Sequence, residues 1–158
     1  MDADEFDKAE VIGVYKACFG EVETDDIFLT AQSRGKTVLY PRTDRKQRKL
    51  DFGVVKDIGS LVPGEYDIPE PARDSEWVSP GEIDLLIMPG VAFDRQGGRL
   101  GMGGGYYDRI LAKLEKNTVR MGLAYEFQIV DHVPLDEYDE RVDCLVTESG
   151  ILRFTERG

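Results

Sequence analysis

Hydrophobic residues along the chain are grouped in short runs, several of them rich in β-branched side chains. Runs of this length, bounded by glycine, proline or charged residues, are typical of β-strands. The segments that we predict to be strands are residues 11–15, 37–40, 50–55, 83–88, 119–125, 144–147 and, at an edge of the sheet, 151–154. The run at 83–88 is nearly continuous, which indicates a strand covered on both faces.

Two helices are predicted between these strands. Thr24 is a suitable N-cap for the first, and Asp25 would face its positive end. We expect this helix to run to Ser33 and to stop at Gly35. The second helix is predicted to run to about Lys116, because apolar residues recur at helical spacing before it. These apolar residues are Tyr107, Ile110, Leu111 and Leu114.

The order of these elements predicts the fold class. The first forty residues read strand, helix, strand, which is one βαβ unit with a right-handed crossover. Residues 59–81 are rich in proline and glycine and should form no long regular element. We therefore predict an α/β fold, in which residues 1–158 form a single three-layer domain with a mostly parallel central sheet, a variant of the Rossmann arrangement.

Composition and charge narrow the classes of function. Of the 158 residues, 41% are hydrophobic and 32% charged, and the net charge is −11. Such an acidic surface repels nucleic acid, so we predict no nucleic-acid partner. No apolar run approaches the roughly 20 residues of a membrane span, and the acidic start is unlike a signal peptide. We therefore expect a cytoplasmic protein with no membrane partner.

The scarcity of histidine and cysteine argues against zinc and disulfide chemistry. His132 is the only histidine, and we expect it at the surface. The two cysteines, Cys18 and Cys144, lie far apart in the sequence without the spacing of a zinc site or of a disulfide framework. An anionic ligand would therefore have to be bound by backbone N–H groups and a few basic side chains.

A glycine-rich loop between the predicted strand at 83–88 and the second helix meets this requirement. Six of the nine residues at 97–105 are glycine. Successive N–H groups before a helix form an anion site, and ligands of open α/β sheets bind at the carboxyl ends of strands. Arg95 and Arg99 could add charge that forks onto phosphate oxygens.

Other interpretations of this loop stay open at this point. It could be a flexible surface loop, or a tight turn that packs against the sheet. The aromatic residues Phe93, Tyr106 and Tyr107 among the glycines argue against a flexible linker. The loop matches neither a Walker motif nor the dinucleotide pattern, so the spacing alone indicates phosphate binding without specifying the nucleotide.

Two segments around the loop are more specific. Residues 89–94 read PGVAFD and residues 99–108 read RLGMGGGYYD. Together they resemble the signature of the 5-formyltetrahydrofolate cyclo-ligase family, whose members are also called 5,10-methenyltetrahydrofolate synthetases. The resemblance covers essentially residues 11–150, and its further matching segments are 20–24, 66–71, 122–125, 128, 133–134 and 143–148.

The resemblance implies an ATP- and Mg²⁺-dependent ligase. Its substrate would be 5-formyltetrahydrofolate, with or without a polyglutamate tail, and its product 5,10-methenyltetrahydrofolate. Transfer of the γ-phosphoryl group would turn the formyl oxygen into a leaving group, N10 would then close the ring, and ADP and phosphate would be released. Phosphoryl transfer of this kind depends on positioning and charge neutralisation.

The resemblance also implies roles for individual residues. Arg99 and Tyr106 would be catalytic, and Mg²⁺ would be held by Asp108 and Asp139. Glu21 would hydrogen-bond the pterin edge of the folate. The ATP-binding residues would be Arg99, Leu100, Gly101, Met102, Gly103, Gly104, Gly105, Tyr106 and Tyr107. The folate-binding residues would be Glu21, Met102, Gly103, Gly104, Gly105 and Tyr106.

Without the resemblance, several of these residues have simpler interpretations. Glu21 would be an exposed acid before a helix, and Asp108 a charge in the first turn of a helix, stabilised by the helix dipole. Asp139 lies in an acidic stretch, residues 136–140, that could be a solvated loop. Trp77 is expected to pack in the protein rather than to stack on the pterin.

A basic cluster lies at residues 42–49. It could attract the glutamate tail of a folate or the phosphates of ATP. It could equally be an exposed hairpin between two strands, in which case Arg42, just after a strand end, is the best candidate for a ligand contact.

The first residues depart from the family pattern. Relatives carry a helical segment before the first strand, with basic residues that reach the ATP phosphates, whereas residues 1–10 here are largely acidic. We therefore expect a domain that lacks this segment and that is a monomer or weak homodimer. Two other functions stay open: a non-catalytic folate- or nucleotide-binding paralogue truncated at its N-terminus, and a sugar-phosphate-binding α/β protein with a similar loop.

Overall fold

The computed structural model describes residues 3–18, 20–135 and 139–154. Within them, three α-helices and ten strands follow one another along the chain. The helices are α1 (Asp4–Lys8), α2 (Asp25–Ser33) and α3 (Tyr106–Leu111). The strands are β1 (Val11–Gly13), β2 (Thr37–Asp44), β3 (Lys49–Val54), β4 (Trp77–Val78), β5 (Leu85–Met88), β6 (Ala92–Phe93), β7 (Arg99–Leu100), β8 (Val119–Leu123), β9 (Cys144–Thr147) and β10 (Gly150–Arg153).

Eight strands form one sheet in the order β10-β9-β8-β5-β1-β2-β3-β4, and β6 and β7 form a separate hairpin. The five strands from β9 to β2 are parallel, and antiparallel strands are added at both edges. The register places Ile12 beside Val38 on one side and beside Leu85 on the other. The predicted α/β fold with a mostly parallel sheet is confirmed.

The central strand β5 shows why the domain has three layers. All four of its residues are completely buried. Leu85 and Ile87 pack in the core that also contains residues of α1 and α2, whereas Leu86 and Met88 pack in the core that contains residues of α3. Because strand side chains alternate between the two faces, this run of apolar residues requires cover on both. Each such side chain contributes about 1.5–3 kcal/mol by its burial.

The first crossover, from β1 through α2 to β2, contains the elements that the sequence predicts. Helix α2 begins after Thr24 and ends before Gly35, which has a φ of +75°. The Thr24 hydroxyl does not cap the helix but donates a hydrogen bond to the carbonyl oxygen of Tyr15, 2.5 Å away. This bond ties the start of α2 to the chain that leaves β1.

Two expectations about element boundaries were wrong, and one element was not predicted. Strand β2 continues through Pro41, because beyond Leu39 it pairs with β3 alone and no parallel neighbour requires an N–H there. Helix α3 ends at Leu111 rather than near Lys116, since the following amides bond three residues back in a tighter turn. Helix α1 was not predicted; its Phe6 is completely buried against the sheet.

Two other parts of the chain are as expected. Residues 42–49 form the antiparallel hairpin of β2 and β3, in which Asp44 pairs with Lys49. Between β3 and β5, the described chain has only short 3-10 turns and the two-residue strand β4. The longest helix in the described ranges is α2, with 9 residues. No helix in these ranges is long and apolar enough to cross a membrane.

Candidate active site

The site lies where the strand order of the sheet reverses. From β1 the chain crosses to β2 on one side, whereas β5 pairs with β1 on the other side. Loops that leave the carboxyl ends of two such strands diverge and leave a crevice, where open α/β sheets bind ligands. Glu21 follows β1, and the glycine-rich residues 97–105 follow β5, so both lie at this edge.

The start of the glycine-rich segment is a packed turn between β6 and β7. Asp94, which is 2% exposed, accepts hydrogen bonds from the backbone N–H groups of Gln96, Gly98 and Val133 at 2.8–2.9 Å. Burial acts to raise the pKa of Asp94, but these three bonds outweigh it and lower the pKa. A side chain at Gly98 would lie 2.5 Å from the Asp94 carboxylate. The interpretation as a tight packed turn therefore holds for Gly98.

The end of the segment is open. Gly103 and Gly105 have φ values of +96° and +72°, and no heavy atom of the described chain beyond their own neighbours lies within 4 Å of the position of a Cβ at either. Between β7 and α3, Met102 is 76% exposed. The backbone here adopts a conformation suited to glycine and leaves its surface free for a ligand. This half of the loop, rather than all of residues 97–105, has the form of an anion site.

Arg99 is the buried cation of the site, at 7% exposure. Its Nε donates a hydrogen bond to the carbonyl oxygen of Pro89 at 2.7 Å, and its guanidinium lies over the ring of Tyr107, 4.9 Å from the centroid. Burial lowers the pKa of Arg99, and the neighbouring Tyr107, Asp108, Glu21 and Asp139 act in the opposite direction. The charges of predicted site residues from different parts of the chain thus act on one buried guanidinium.

The two predicted metal ligands lie side by side. The carboxyl groups of Asp108 and Asp139 are within hydrogen-bonding distance of each other, and the backbone N–H of Glu140 donates to Asp108. The Oδ1 atom of Asp108 is buried and has no hydrogen-bond partner. Burial raises the pKa of Asp108, and Asp139 adds to this, whereas Arg99 and the Glu140 bond lower it. Residues 136–138 of the acidic stretch lie outside the described residues.

Asp108 and Asp139 are the side chains of this site that could hold a divalent cation. Asp108 is in the first turn of α3, as expected for a charge stabilised by the helix, but its buried oxygen lacks the partner that such a charge would have. No group of three or more metal-ligating side chains occurs among the described residues. Mg²⁺ needs only one or two carboxylates when phosphates and water complete its shell.

Glu21 is half-buried at the end of a turn after β1. Its Oε1 accepts hydrogen bonds from the backbone N–H of Cys18 at 3.0 Å and from the Cys18 thiol at 3.4 Å. Burial, with the Glu21 charge second, raises the pKa of Cys18 to about 11. The Glu21 charge also raises the pKa of Tyr107, for which burial is the main cause. Glu21 is therefore part of the charged cluster and not a solvated acid.

Tyr106 faces a different part of the molecule. Its hydroxyl lies 3.2 Å from that of Tyr66, and the two rings meet edge to face with centroids 6.5 Å apart. Tyr66 has a φ of +58° and carries the guanidinium of Arg45 over its ring at 5.2 Å. Tyr106 therefore connects the glycine loop to the β2–β3 hairpin rather than to Arg99.

A groove of about 980 Å³ begins at Tyr66 and runs along this hairpin. Four basic and four acidic side chains line it, so the groove is not uniformly positive. The guanidinium of Arg42 lies 4.7 Å from the ring centroid of Trp77, whose Nε1 donates to the carbonyl oxygen of Arg73. Trp77 is thus a packing residue. Arg109 donates to the carbonyl oxygens of Gln47 and Arg48 and so fixes the hairpin to α3.

Sequence reasoning assigned no role to Asp94 or to Tyr66, although both lie in segments that match the family. An aspartate just before a glycine-containing turn is a common acceptor for backbone N–H groups, and this signal could have identified Asp94. The partner of Tyr66 is forty residues away in the sequence, and no local pattern indicates it.

The fold and the site together define a class: an α/β protein with a glycine-rich anion loop and a carboxylate pair at the switch point of its sheet. The sequence matches the model of the 5-formyltetrahydrofolate cyclo-ligase family over residues 1–148. The chain belongs to this family.

Individual relatives agree with the family match. The chain is 34% identical over 146 residues to the 5-formyltetrahydrofolate cyclo-ligase of Escherichia coli K12, covering 90% of this chain and 80% of the relative. It is 30% identical over 154 residues to the mouse enzyme of the same name, covering 91% and 76%. The solved structure of 5,10-methenyltetrahydrofolate synthetase from Aquifex aeolicus superimposes with a TM-score of 0.84 at 34% identity, covering 98% of this chain and 77% of that one. The predicted family and enzyme class are confirmed.

Proposed function

We propose that this chain closes the ring of 5-formyltetrahydrofolate to 5,10-methenyltetrahydrofolate at the expense of ATP. The observation that carries the proposal is the charged cluster at the sheet's switch point, where the Arg99 guanidinium lies over the ring of Tyr107 and the charges of Asp108, Glu21 and Asp139 act on it. An anionic co-substrate placed on the open glycine backbone would meet a fixed cation and a carboxylate pair at once. Phosphoryl transfer requires this kind of preorganised charge.

The residues would divide the reaction between them. The backbone N–H groups near Gly103 and Gly105, with Arg99, would hold the phosphates of ATP. The formyl oxygen attacks the γ-phosphorus as ADP leaves; N10 then attacks the formyl carbon, the N10 proton is lost and the C–O bond to the phosphate breaks. Tyr106, at the mouth of the loop, would hold the folate in line. Arg99 would neutralise charge that develops on the transferred group.

Mg²⁺ would be held by Asp108 and Asp139. The unpartnered Oδ1 of Asp108 and the close approach of the two carboxyl groups support this assignment, because a bound cation would satisfy both. When bound, the ion would neutralise charge on the phosphates.

The folate would lie between Glu21 and residues 102–106, with Glu21 at the pterin edge. Its glutamate tail would leave past Tyr106 toward the groove beside Tyr66. Arg42 and Arg45 are two of the four basic side chains there that could meet a polyglutamate, although each also lies within 4 Å of an acidic side chain, Asp51 and Glu65 respectively. The length of the polyglutamate tail should therefore change the affinity for the folate only modestly.

We further propose that the chain acts in the cytoplasm, as a monomer or weak homodimer, without nucleic acid. The free thiols of Cys18 and Cys144 fit a reducing compartment. The net charge of −11 disfavours binding to polyanions.

A steady-state absorbance assay for the methenyl product tests the proposal. Product should form only when 5-formyltetrahydrofolate, ATP and Mg²⁺ are all present. Arg99→Lys, which loses the planar fork and the bond to Pro89, should lower kcat/KM about 10²- to 10³-fold. Arg34→Lys is the matched control and should change little, because Arg34 lies after α2 at the opposite end of the sheet, where it pairs with Asp7. Folate binding by calorimetry with no product would instead favour the non-catalytic paralogue.

A further inference from the structure

We propose that Asp94 is a positioning residue that fixes Asp139 beside Asp108, by joining the β6–β7 turn to the chain segment that carries Asp139. The inference rests on the proposed function, in which Asp108 and Asp139 hold the metal ion. Asp94 touches neither carboxylate; it acts through backbone that lies between them.

The two carboxylate oxygens of Asp94 have separate tasks. Oδ1 accepts from the N–H groups of Gln96 at 2.9 Å and Gly98 at 2.8 Å, which closes the turn between β6 and β7. Oδ2 accepts from the N–H of Val133 at 2.9 Å, in the segment that leads from β8 to β9. One buried side chain thus shapes the glycine-rich turn and binds a second loop to it.

The same turn holds the other end of that segment. The N–H of Val142 donates to the carbonyl oxygen of Gly97 at 2.9 Å, and Nη1 of Arg141 donates to the carbonyl oxygen of Gln96, also at 2.9 Å. A side chain at Gly97 would lie 2.7 Å from the carbonyl oxygen of Val142, so the close approach depends on glycine. The turn therefore contacts the segment 133–142 on both sides of Asp139, within the described residues 133–135 and 139–142.

These contacts leave Asp139 little freedom. Three residues of extended chain span at most about 11 Å, so fixing Arg141 and Val142 confines the backbone of Asp139 and Glu140. The result is the hydrogen bond from the N–H of Glu140 to Asp108 and the close approach of the Asp139 carboxyl group. Outer contacts that orient metal ligands commonly set the affinity for the ion.

Alanine at position 94 removes all three acceptor contacts. The β6–β7 turn, whose Gln96 and Gly97 carbonyl oxygens accept from Arg141 and Val142, should then lose its fixed shape and release the backbone next to Asp139. Asp84→Ala is the matched control, because Asp84 also accepts backbone N–H bonds, from Glu10 and Val11, and the charge change is the same. It lies at the amino end of β5, away from the site.

The experiment is a titration of the full chain with Mn²⁺ alone, following free Mn²⁺ by electron paramagnetic resonance well below the unfolding temperature. Binding that Asp108→Asn abolishes defines the site. We expect Asp94→Ala to weaken this binding about 10- to 100-fold relative to Asp84→Ala. Arg141→Ala, at an exposed position where folding is not at risk, should cause a smaller loss in the same direction.

Two results would overturn the inference, and they differ in what else they affect. If Asp108-dependent binding is present but Asp94→Ala and Arg141→Ala both match Asp84→Ala, Asp94 does not position the site, and the metal assignment survives. If Asp108→Asn binds Mn²⁺ like the unmodified chain, the metal assignment itself fails and the role of Asp94 fails with it.

Discussion

Gly103→Val is the substitution that tests the anion loop most directly. Gly103 has a φ of +96° and no heavy atom of the described chain beyond its neighbours within 4 Å of the added Cβ. The variant should therefore lose stability through backbone strain alone, about 1–2 kcal/mol. For a domain of this size, that corresponds to a fall in Tm of about 2–8 °C.

Its effect on ATP should be larger than its effect on the fold. A side chain at this position occupies the space assigned to the phosphates and removes one or more hydrogen bonds to a charged group. Such bonds contribute about 1.5–3 kcal/mol each, so the Kd for a nonhydrolysable ATP analogue should rise about 10- to 100-fold. Isothermal calorimetry measures this change directly.

Gly35→Val is the control for strain. Gly35 has a φ of +75° with equally open surroundings, but it lies after α2 at the opposite end of the sheet. It should lose comparable stability and keep its affinity for the analogue. Equal affinity in the two variants, together with equal loss of stability, would show that residues 103–105 do not bind the phosphates.

Two further predictions concern groups around the site. In Asp108→Asn the Mg²⁺ concentration for half-maximal turnover should rise at least about tenfold. Because burial raises the pKa of Asp108, its charged form lowers the stability of the folded protein above the ordinary value of 3.8. The advantage in Tm of the variant over the unmodified chain should therefore grow as the pH rises from 4 to 7. An advantage that shrinks with pH would contradict this. Tyr66→Phe, which loses the contact to the Tyr106 hydroxyl, should raise the KM for folate about 2- to 10-fold and leave kcat and the ATP Kd unchanged.

The sequence predicts the central architecture well, because its signals there are local. The apolar run at 83–88 ends with β5, which begins two residues later than predicted, and the Thr24 to Gly35 interval encloses α2. The prediction that β2 ends at Pro41 was wrong, because local propensity does not show whether a neighbouring strand needs a backbone N–H at that position. The same limit applies to α1, whose five residues are held by burial of Phe6 rather than by helix propensity.

The site was predictable only as a set of residues, not as an arrangement. The family pattern named Glu21, Arg99, Asp108 and Asp139, and in the structure the charges of the three carboxylates act on Arg99. It did not indicate that Tyr106 turns away from this cluster, or that Gly98 serves packing rather than ligand contact. These details depend on contacts between distant segments, for which one sequence carries no pattern. The roles of the individual residues stay predictions.

The origin of the site on three loops has a consequence for folding. Glu21 follows β1, Arg99 follows β5, and Asp139 precedes β9, so the charged cluster exists only when non-adjacent stretches of the chain have docked as parallel strands. A partly folded molecule would contain the residues of the charged cluster but no assembled nucleotide site. Nucleotide should therefore act as a selective ligand of the completed sheet, and its saturation should slow amide exchange in β1, β5 and β9 together.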